Sequence, residues 1–449
     1  MFESIKSIWG KVRDLMFPKQ SMEKLADGRT LMSADMIRRI TLWNDMQNGE
    51  ASWCDGSDVI SIGIESGIVR EFADTCLSEM EGSVSVDDLD KMFQFAIRDL
   101  NEELQEGLAL GSMIIRPLPN GLVEYIDPMH FIPIRIDRKK DLTDVIFLDI
   151  REAKVEGQYY VRAERHTLTN NVLTITNKAY KSQGKTGIQS EIPLDTVDDW
   201  ADIKDEQSYK GVERPIFGYF KTPVKNKIDG TALGVSVYNK AIELVQDADE
   251  HYGRLLWEML GGELAVNVDP SAIDPKKTKT DSFSKRLYRT LDVELGNGKN
   301  LFEVFSPELR DESIIRGLNA ILRRIEFAVG LSYGDLSDVQ DVMKTATEVL
   351  SSKQRKYQTV KALEANLKDC LEDLIYALAF WSGKTLSKYE FSCEFHDSIL
   401  TNEDEQNNAM REDVAAGIIR PEKYIAKKYG VDEETAAKDW MPGDVVADA

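Results

Sequence analysis

The stretch Ala179-Tyr-Lys-Ser-Gln-Gly-Lys-Thr186 comes closest to a chemical motif, fitting a permissive phosphate-loop pattern with Ala in the first glycine position. A phosphate loop works by aiming backbone N–H groups and a helix N-terminus at the phosphates, so a helix must follow it. Here Gly187-Ile-Gln-Ser-Glu-Ile-Pro193 follows, which reads as a turn and a strand. A β-hairpin tip is expected, and no nucleotide site is assigned. Asp195, Asp198, Asp199, Asp202, Asp205 and Glu206 form an acidic run. It lacks the alternating ligand spacing of a calcium loop, so a solvated acidic loop is expected. The histidines (His130, His166, His251, His396) and cysteines (Cys54, Cys76, Cys370, Cys393) are scattered, with no HExxH and no Cys-x-x-Cys pair. That usage suits a reducing compartment and points to neither a zinc site nor a disulfide framework. No Ser/His/Asp or Cys/His set has a local signature. The expectation is a protein without catalytic residues, cofactor or metal.

Charge bounds the remaining functions. The chain has 449 residues and a formal net charge of −22. Gripping duplex DNA requires Lys and Arg to neutralise phosphates. Such a chain either does not meet DNA or surrounds DNA that must slide without sticking. Against that acidity, Lys276, Lys277, Lys279, Lys285, Arg286 and Arg289 stand out as a basic stretch. It is either a solvated face or a docking surface for a protein or for phosphates. No segment approaches the ~18 consecutive apolar residues of a membrane span. Residues 1–17 carry Phe2, Ile5, Ile8, Trp9, Val12, Leu15 and Met16 at helical spacing, interrupted by charges, and read as a packing helix rather than a signal peptide; a helix lying on a membrane surface is the minor reading.

The length suggests about three lobes. The first is mixed: helices are expected at 34–48 and 87–110, then strands at 112–116, 123–126, 131–136, 144–151, 158–166 and 172–179. This α+β lobe ends near Gly230. From 232 to 260 the apolar residues Val237, Tyr238, Ala241, Leu244, Val245, Ala248, Tyr252, Leu255, Leu256 and Met259 recur at a 3.6-residue period. They predict one helix of about 43 Å, stopped by Gly261-Gly262. An insert over 263–310 holds strand candidates at 264–268, 291–295 and 301–305 and a hairpin turn signal at Asn297-Gly298. A second helix is expected at 311–331, a loop at 332–343 containing Gly334, Asp335, Asp338 and Asp341, and a third helix at 344–381. The tail offers a strand at 389–395 and helical pieces at 402–416 and 421–429.

That order of elements resembles the portal proteins of tailed bacteriophages. Local sequence carries the likeness too, toward the group typified by Listeria phage A118. The stretches are Asp127-Pro-Met-His-Phe-Ile-Pro133, Glu164-Arg-His166, Pro215-Ile-Phe-Gly-Tyr-Phe-Lys-Thr-Pro223, Leu233-Gly-Val-Ser-Val-Tyr238, Phe302-Glu-Val-Phe-Ser-Pro-Glu-Leu-Arg310, Ile325-Glu-Phe-Ala-Val-Gly-Leu-Ser332 and Lys344-Thr-Ala-Thr-Glu-Val349. They run in a consistent order from about residue 120 to 360. One departure is Ser332-Tyr-Gly-Asp-Leu-Ser337, where the group more often has Gly followed by Thr or Ser.

The resemblance implies a non-enzymatic ring subunit, usually one of twelve, at one capsid vertex, through which viral DNA is packaged and ejected. Its α+β portal fold would comprise a wing (1–230), a first stem helix (231–260), a clip (261–310), a second stem helix (311–331), a tunnel loop (332–343), a long wing helix (344–383) and a C-terminal wing or crown region (384–449). On that reading Gly334, Asp335, Leu336, Ser337, Asp338, Val339 and Gln340 lie nearest the DNA, with a flexible Gly334 and repelling acids. Lys276, Lys277, Lys279, Lys285 and Arg286 form the clip's docking surface. Thr345 and Ala346 mark either a bend or a plain N-cap. The implied partners are the ring itself, the terminase motor, capsid and scaffold proteins, a tail-connector protein and non-specific duplex DNA, with no membrane. The location is the virion, and the host cytoplasm during assembly. The alternatives are a capsid-associated adaptor without a channel, and a nucleotide-driven motor subunit, which would need a true phosphate loop.

Overall fold

The computed structural model describes residues 16–28, 30–54, 58–119, 121–137, 141–153, 157–183, 187–262, 265–268, 288–290, 302–305, 308–338, 346–383, 388–395, 410–429 and 435–440. The fold is mixed α and β, as expected. Among the described residues three helices come first: α1 (Lys19–Leu25), α2 (Ala34–Gln47) and α3 (Ile64–Leu77). Ser33 caps α2, its hydroxyl accepting from the Met36 N–H at 3.0 Å. Met36, Ile40, Trp43 and Met46 then form the buried stripe.

After β1 (Met80–Val84), the single helix expected over 87–110 is two: α4 (Asp87–Ala96) and α5 (Leu100–Leu110). The apolar spacing runs unbroken through Ile97 and Leu100, so periodicity could not reveal the turn between them. The two halves have different partners. Phe93 of α4 meets the ring of Phe391 edge-on at 5.5 Å, while α5 packs on α3 and leads into the sheet.

Three sheets follow. The largest has the order β4 (Phe131–Ile136), β5 (Leu142–Glu152), β6 (Gln158–Thr169), β7 (Val172–Gln183) and β8 (Ile188–Ile192), with β9 (Glu206–Lys210) also on β7. Asn170 and Asn171, both at positive φ (51° and 60°), make the tight β6–β7 turn. The second sheet is β10 (Gly218–Lys221), β2 (Ser112–Pro117) and β3 (Val123–Ile126). The motif at 179–186 joins β7 to β8, two antiparallel strands; no helix begins there, and 184–186 lie outside the described residues.

The helix expected from 232 begins only at Ile242: α6 is Ile242–Gly261. Its 20 residues span about 30 Å rather than 43 Å. Residues 231–238 instead thread the core. Val235 is tied at both ends to Thr222, whose hydroxyl donates to its C=O at 2.6 Å and accepts from its N–H at 3.2 Å. The Val237 N–H reaches Leu108 C=O at 3.1 Å. Gly234 crosses Gly111 so closely that a Cβ would sit 1.8 Å from the Gly111 carbonyl oxygen. Val237, Tyr238 and Ala241 are buried, as their apolar character required, but in a threaded segment and a single 3₁₀ turn (Asn239–Ala241).

The insert holds a three-stranded sheet in which β11 (Ala265–Val268) is flanked by β12 (Tyr288–Thr290), parallel, and β13 (Phe302–Phe305), antiparallel. β12 was not foreseen. The strand expected at 291–295 and the Asn297-Gly298 turn lie outside the described residues. The chain returns through α7 (Asp311–Val329), then α8 (Ala346–Trp381), and β14 (Phe391–Phe395) pairs antiparallel with β1. The first lobe is therefore completed by the C-terminal third of the chain. α8 lies on β10 and β2, where a Cβ on Gly218 would be 2.4 Å from Cys370 C=O. Near the end lies α9 (Pro421–Tyr429). Among the described residues, no helix is long and apolar enough to cross a membrane, and no group of His, Cys, Asp or Glu could hold a metal ion.

Candidate functional site

The feature that leaves the main core is the hairpin α6–α7 with its small sheet. The helices meet where the His251 ring lies against the Ile314 carbonyl, Nε2 to O at 2.9 Å. Gly317 makes this possible, since a Cβ there would be 2.6 Å from His251 Nε2. At the insert end, Glu258 grips Arg310. Its Oε1 accepts from the Arg310 N–H and Nε, both at 3.1 Å, and its Oε2 from Nη2 at 2.7 Å. Those donors hold the Glu258 carboxyl below its ordinary range. Burial falls toward this end. Trp257 is 69% exposed, and Met259, Leu260, Leu309 and Ile315 are also exposed.

At the other end the hairpin is anchored. Asp249 of α6 is fully buried and accepts from the Ile62 N–H at 3.0 Å and Trp53 Nε1 at 2.9 Å. Gly253 lets Asp58 C=O approach, since a Cβ would be 2.3 Å from it. Trp53 and residues 58–62 thus bind α6 to the first helices. Beside them Glu65 is 1% exposed, and among the described residues no other side chain or backbone group bonds its carboxyl oxygens. Burial, with the Asp249 charge nearby, pushes its carboxyl up to about 7. Burial raises Asp249 as well.

The turn after α7 is organised by one side chain. Glu326 is fully buried. Its Oε1 accepts from the backbone N–H groups of Gly334 (3.0 Å), Leu336 (2.8 Å) and Ser337 (2.8 Å), and its Oε2 from the Ser337 hydroxyl (3.1 Å). Its carbonyl also accepts from Gly330 and Leu331, closing the helix at a Gly330 with φ 94°. Asp335 pairs with Lys356 of α8 at 3.1 Å, and Lys356 also holds Glu71 of α3. Burial raises the Asp335 carboxyl against the pull of Lys356. The Arg355 guanidinium lies over Phe327 (4.8 Å) and Tyr333 (5.2 Å).

This geometry redistributes the residues expected near a channel. Gly334, Asp335, Leu336 and Ser337 form a hydrogen-bonded turn. The N–H groups of Gly334, Leu336 and Ser337 converge on Glu326, that of Asp335 donates to the Ser332 carbonyl at 3.3 Å, and Gly334 sits at φ 98°. Asp338 is exposed, its N–H donating to Asn319 Oδ1 at 3.0 Å. Val339, Gln340 and Thr345 lie outside the described residues, and Ala346 is the first residue of α8. Lys276, Lys277, Lys279, Lys285 and Arg286 also lie outside them. Sequence reasoning passed over Glu326, Glu65, Asp249 and Lys356. The available signal was an acid on an apolar helix stripe, as with Glu326 beside Ile325 and Val329.

A second polar constellation joins the large sheet to the second sheet. Arg116 pairs with Glu164 (2.9 Å) and Glu124 (2.5 Å) and lies 4.4 Å from the Phe147 ring centroid. Glu164 also accepts from Arg162 (2.7 Å) and contacts His166 Nε2 (2.7 Å). Despite its burial, those cations keep Glu164 well below the usual carboxylate range, while burial lowers His166. The charges compensate one another beside a cleft of about 340 Å³, which Asp127 and His130, 3.0 Å apart, also line.

No family model matches the chain, and no curated protein shows significant similarity to it.

Proposed function

We propose that this chain is the subunit of a portal ring at a capsid vertex of a tailed phage, forming the channel through which DNA is packaged and ejected. The observation that carries the reading is the helical hairpin α6–α7, anchored at one end by Asp249 and Glu326 and ending at the other in a separate small sheet with exposed Trp257, Met259, Leu260, Leu309 and Ile315. A lone subunit gains nothing by leaving such apolar surface in water at ~25 cal/mol per Å²; neighbouring copies would cover it. The net charge of −22 fits a lumen that DNA slides through, since few cations means little counterion release on contact.

In this reading the lobe built from residues 16–230 and 346–395 is the wing, α6 and α7 are the stem, and 262–310 are the clip. The motor and, later, the tail connector would dock on the clip through Lys276, Lys277, Lys279, Lys285 and Arg286. The ring would hydrolyse nothing; the motor supplies the work. The segment offered to the channel is narrower than 332–343. Gly334, Leu336 and Ser337 are engaged by Glu326 and Asp335 by Lys356, so the channel role falls to Asp338 and the residues after it, with Asp341 supplying a further negative charge. Negative-stain imaging with native mass measurement tests the whole reading. Closed rings with a central hole are expected; a protein that stays monomeric at high concentration and with capsid protein present would sink it.

A further inference from the structure

The outer faces of the two hairpin helices carry opposite charge patterns. On α6, Glu243, Asp247, Glu250, Arg254 and Trp257 recur at i, i+4, i+7, i+11 and i+14 and share one face, reading three acids, a cation and an aromatic. On α7, Glu312, Arg316, Arg323 and Phe327 share the face turned away from α6, flanked by Arg324: an acid, cations, then an aromatic. Glu243, Asp247, Glu312, Arg316 and Arg324 are exposed, and among the described residues none of them forms an ion pair. Arg254 pairs with Glu250 of its own helix at 3.8 Å. Trp257 and Phe327 are 69% and 57% exposed.

Heights along the hairpin make the patterns match. His251 is level with Ile314 and Gly317, and Glu258 with Arg310. The helices are antiparallel with equal rise per residue. Glu243 and Asp247 therefore stand level with Ile325 and Ile321, within a turn of Arg323 and Arg324. Glu250 stands level with Leu318, beside Arg316, and Arg254 stands near Glu312. A rotation about an axis parallel to the rods preserves these heights. A rotated copy thus brings each charge opposite its complement, with the sign change along both faces in register.

We propose that the α6 face Glu243–Asp247–Glu250–Arg254 of one copy docks on the α7 face Glu312–Arg316–Arg323–Arg324 of the next. The inference rests on the ring reading and adds to it which surfaces meet. The contact is heterologous: each copy offers a different face to each neighbour, and such contacts close into a ring when the rotation closes. Exposed pairs are individually weak. Here the charges act mainly to set register and exclude the wrong face, and the rings of Trp257 and Phe327 supply area to bury.

The test uses the full chain and two double reversals, Arg316→Glu with Arg324→Glu and Glu243→Lys with Asp247→Lys. All four residues are exposed and, among the described residues, form no ion pair, so each variant should keep the wild-type circular dichroism and melting behaviour. Each alone should lower the ring fraction at least tenfold at a fixed concentration. The first variant has two acidic faces and the second two basic ones, so mixing them should restore rings in which they alternate. A chain carrying all four reversals should also assemble. If either double variant forms rings as the wild type does, or if mixing restores nothing, the face assignment is wrong while the ring reading stands. A wild type that never forms rings removes both. Should a reversal impair folding, Arg316→Gln with Arg324→Gln replaces it, and its rings must be weaker and less salt-sensitive than wild-type rings.

Discussion

Replacing Glu65 by Gln should make the protein more stable above neutral pH and remove a defined part of its pH dependence. The Glu65 carboxyl is 1% exposed, so solvent screens it little. Its proton affinity rises from an ordinary 4.5 to about 7. That gap corresponds to roughly 3.4 kcal/mol at ~1.36 kcal/mol per tenfold change. The sign follows from which state holds the proton. Between 4.5 and about 7 the folded chain binds it and the unfolded chain does not. The contribution is therefore complete below the lower value, shrinks through the window and is gone above it. Gln has no proton to lose. Its buried amide carries a pH-independent penalty of about 1–3 kcal/mol, which cancels when one variant is compared with itself. Urea unfolding of both proteins from about pH 4.5 to about pH 8 should show the Gln variant gaining about 3 kcal/mol relative to wild type. Other groups that titrate in this window, such as Asp373, raised to about 7 by burial, are common to both proteins and drop out. Parallel stability curves would refute the claim that Glu65 is a proton-holding acid in the folded chain. Asp249→Asn should weaken the hold of Trp53 and Ile62 on α6, read by hydrogen exchange as faster amide exchange at Ile62.

Glu326→Ala removes the acceptor for four donors, three backbone N–H groups and a hydroxyl. A loss of about 3–5 kcal/mol is expected by chemical denaturation, with Glu326→Gln costing clearly less; a loss under about 1 kcal/mol for Ala would show that the turn does not depend on it. Gly317→Val drives side-chain atoms into His251, and a drop of about 2 kcal/mol or more is expected with broadened His251 ring signals by NMR. Removing residues 334–338 should destabilise the subunit itself, because it deletes the groups that satisfy Glu326. The channel role is better tested by Asp338→Lys with Asp341→Lys. Stable rings that package DNA more slowly are expected, and unchanged packaging rates would contradict the assignment. Reversing Lys276, Lys277 and Lys279 to Glu should weaken motor binding at least tenfold in a pull-down titration with intact rings; unaltered binding would remove the clip residues from the docking surface.

Much of the element order was legible from periodicity. Strands β2 to β7, α2, α7, α8 and β14 lie within a few residues of where alternation, capping and glycine signals put them. Two helices were misread for one reason. Apolar spacing reports which residues are buried and says little about the path that buries them. Ile97 and Leu100 kept a helical rhythm across a turn between α4 and α5. Val237, Tyr238 and Ala241 kept it through a threaded segment whose shape is dictated by Gly111 and Thr222, more than ten residues upstream.

The amino-acid order alone determined most of the alternation of elements and the two-helix excursion around residues 262–310. These depend on local pattern. Tertiary structure decided where buried acids find donors, as Glu326 does in residues 334–337, and that the C-terminal strand completes the first lobe by pairing Met80–Val84 with Phe391–Phe395. It also decided which charges stand at equal height on α6 and α7. Each of these is a relation between residues distant in the chain, set by packing, and no spacing along a single strand of sequence encodes it.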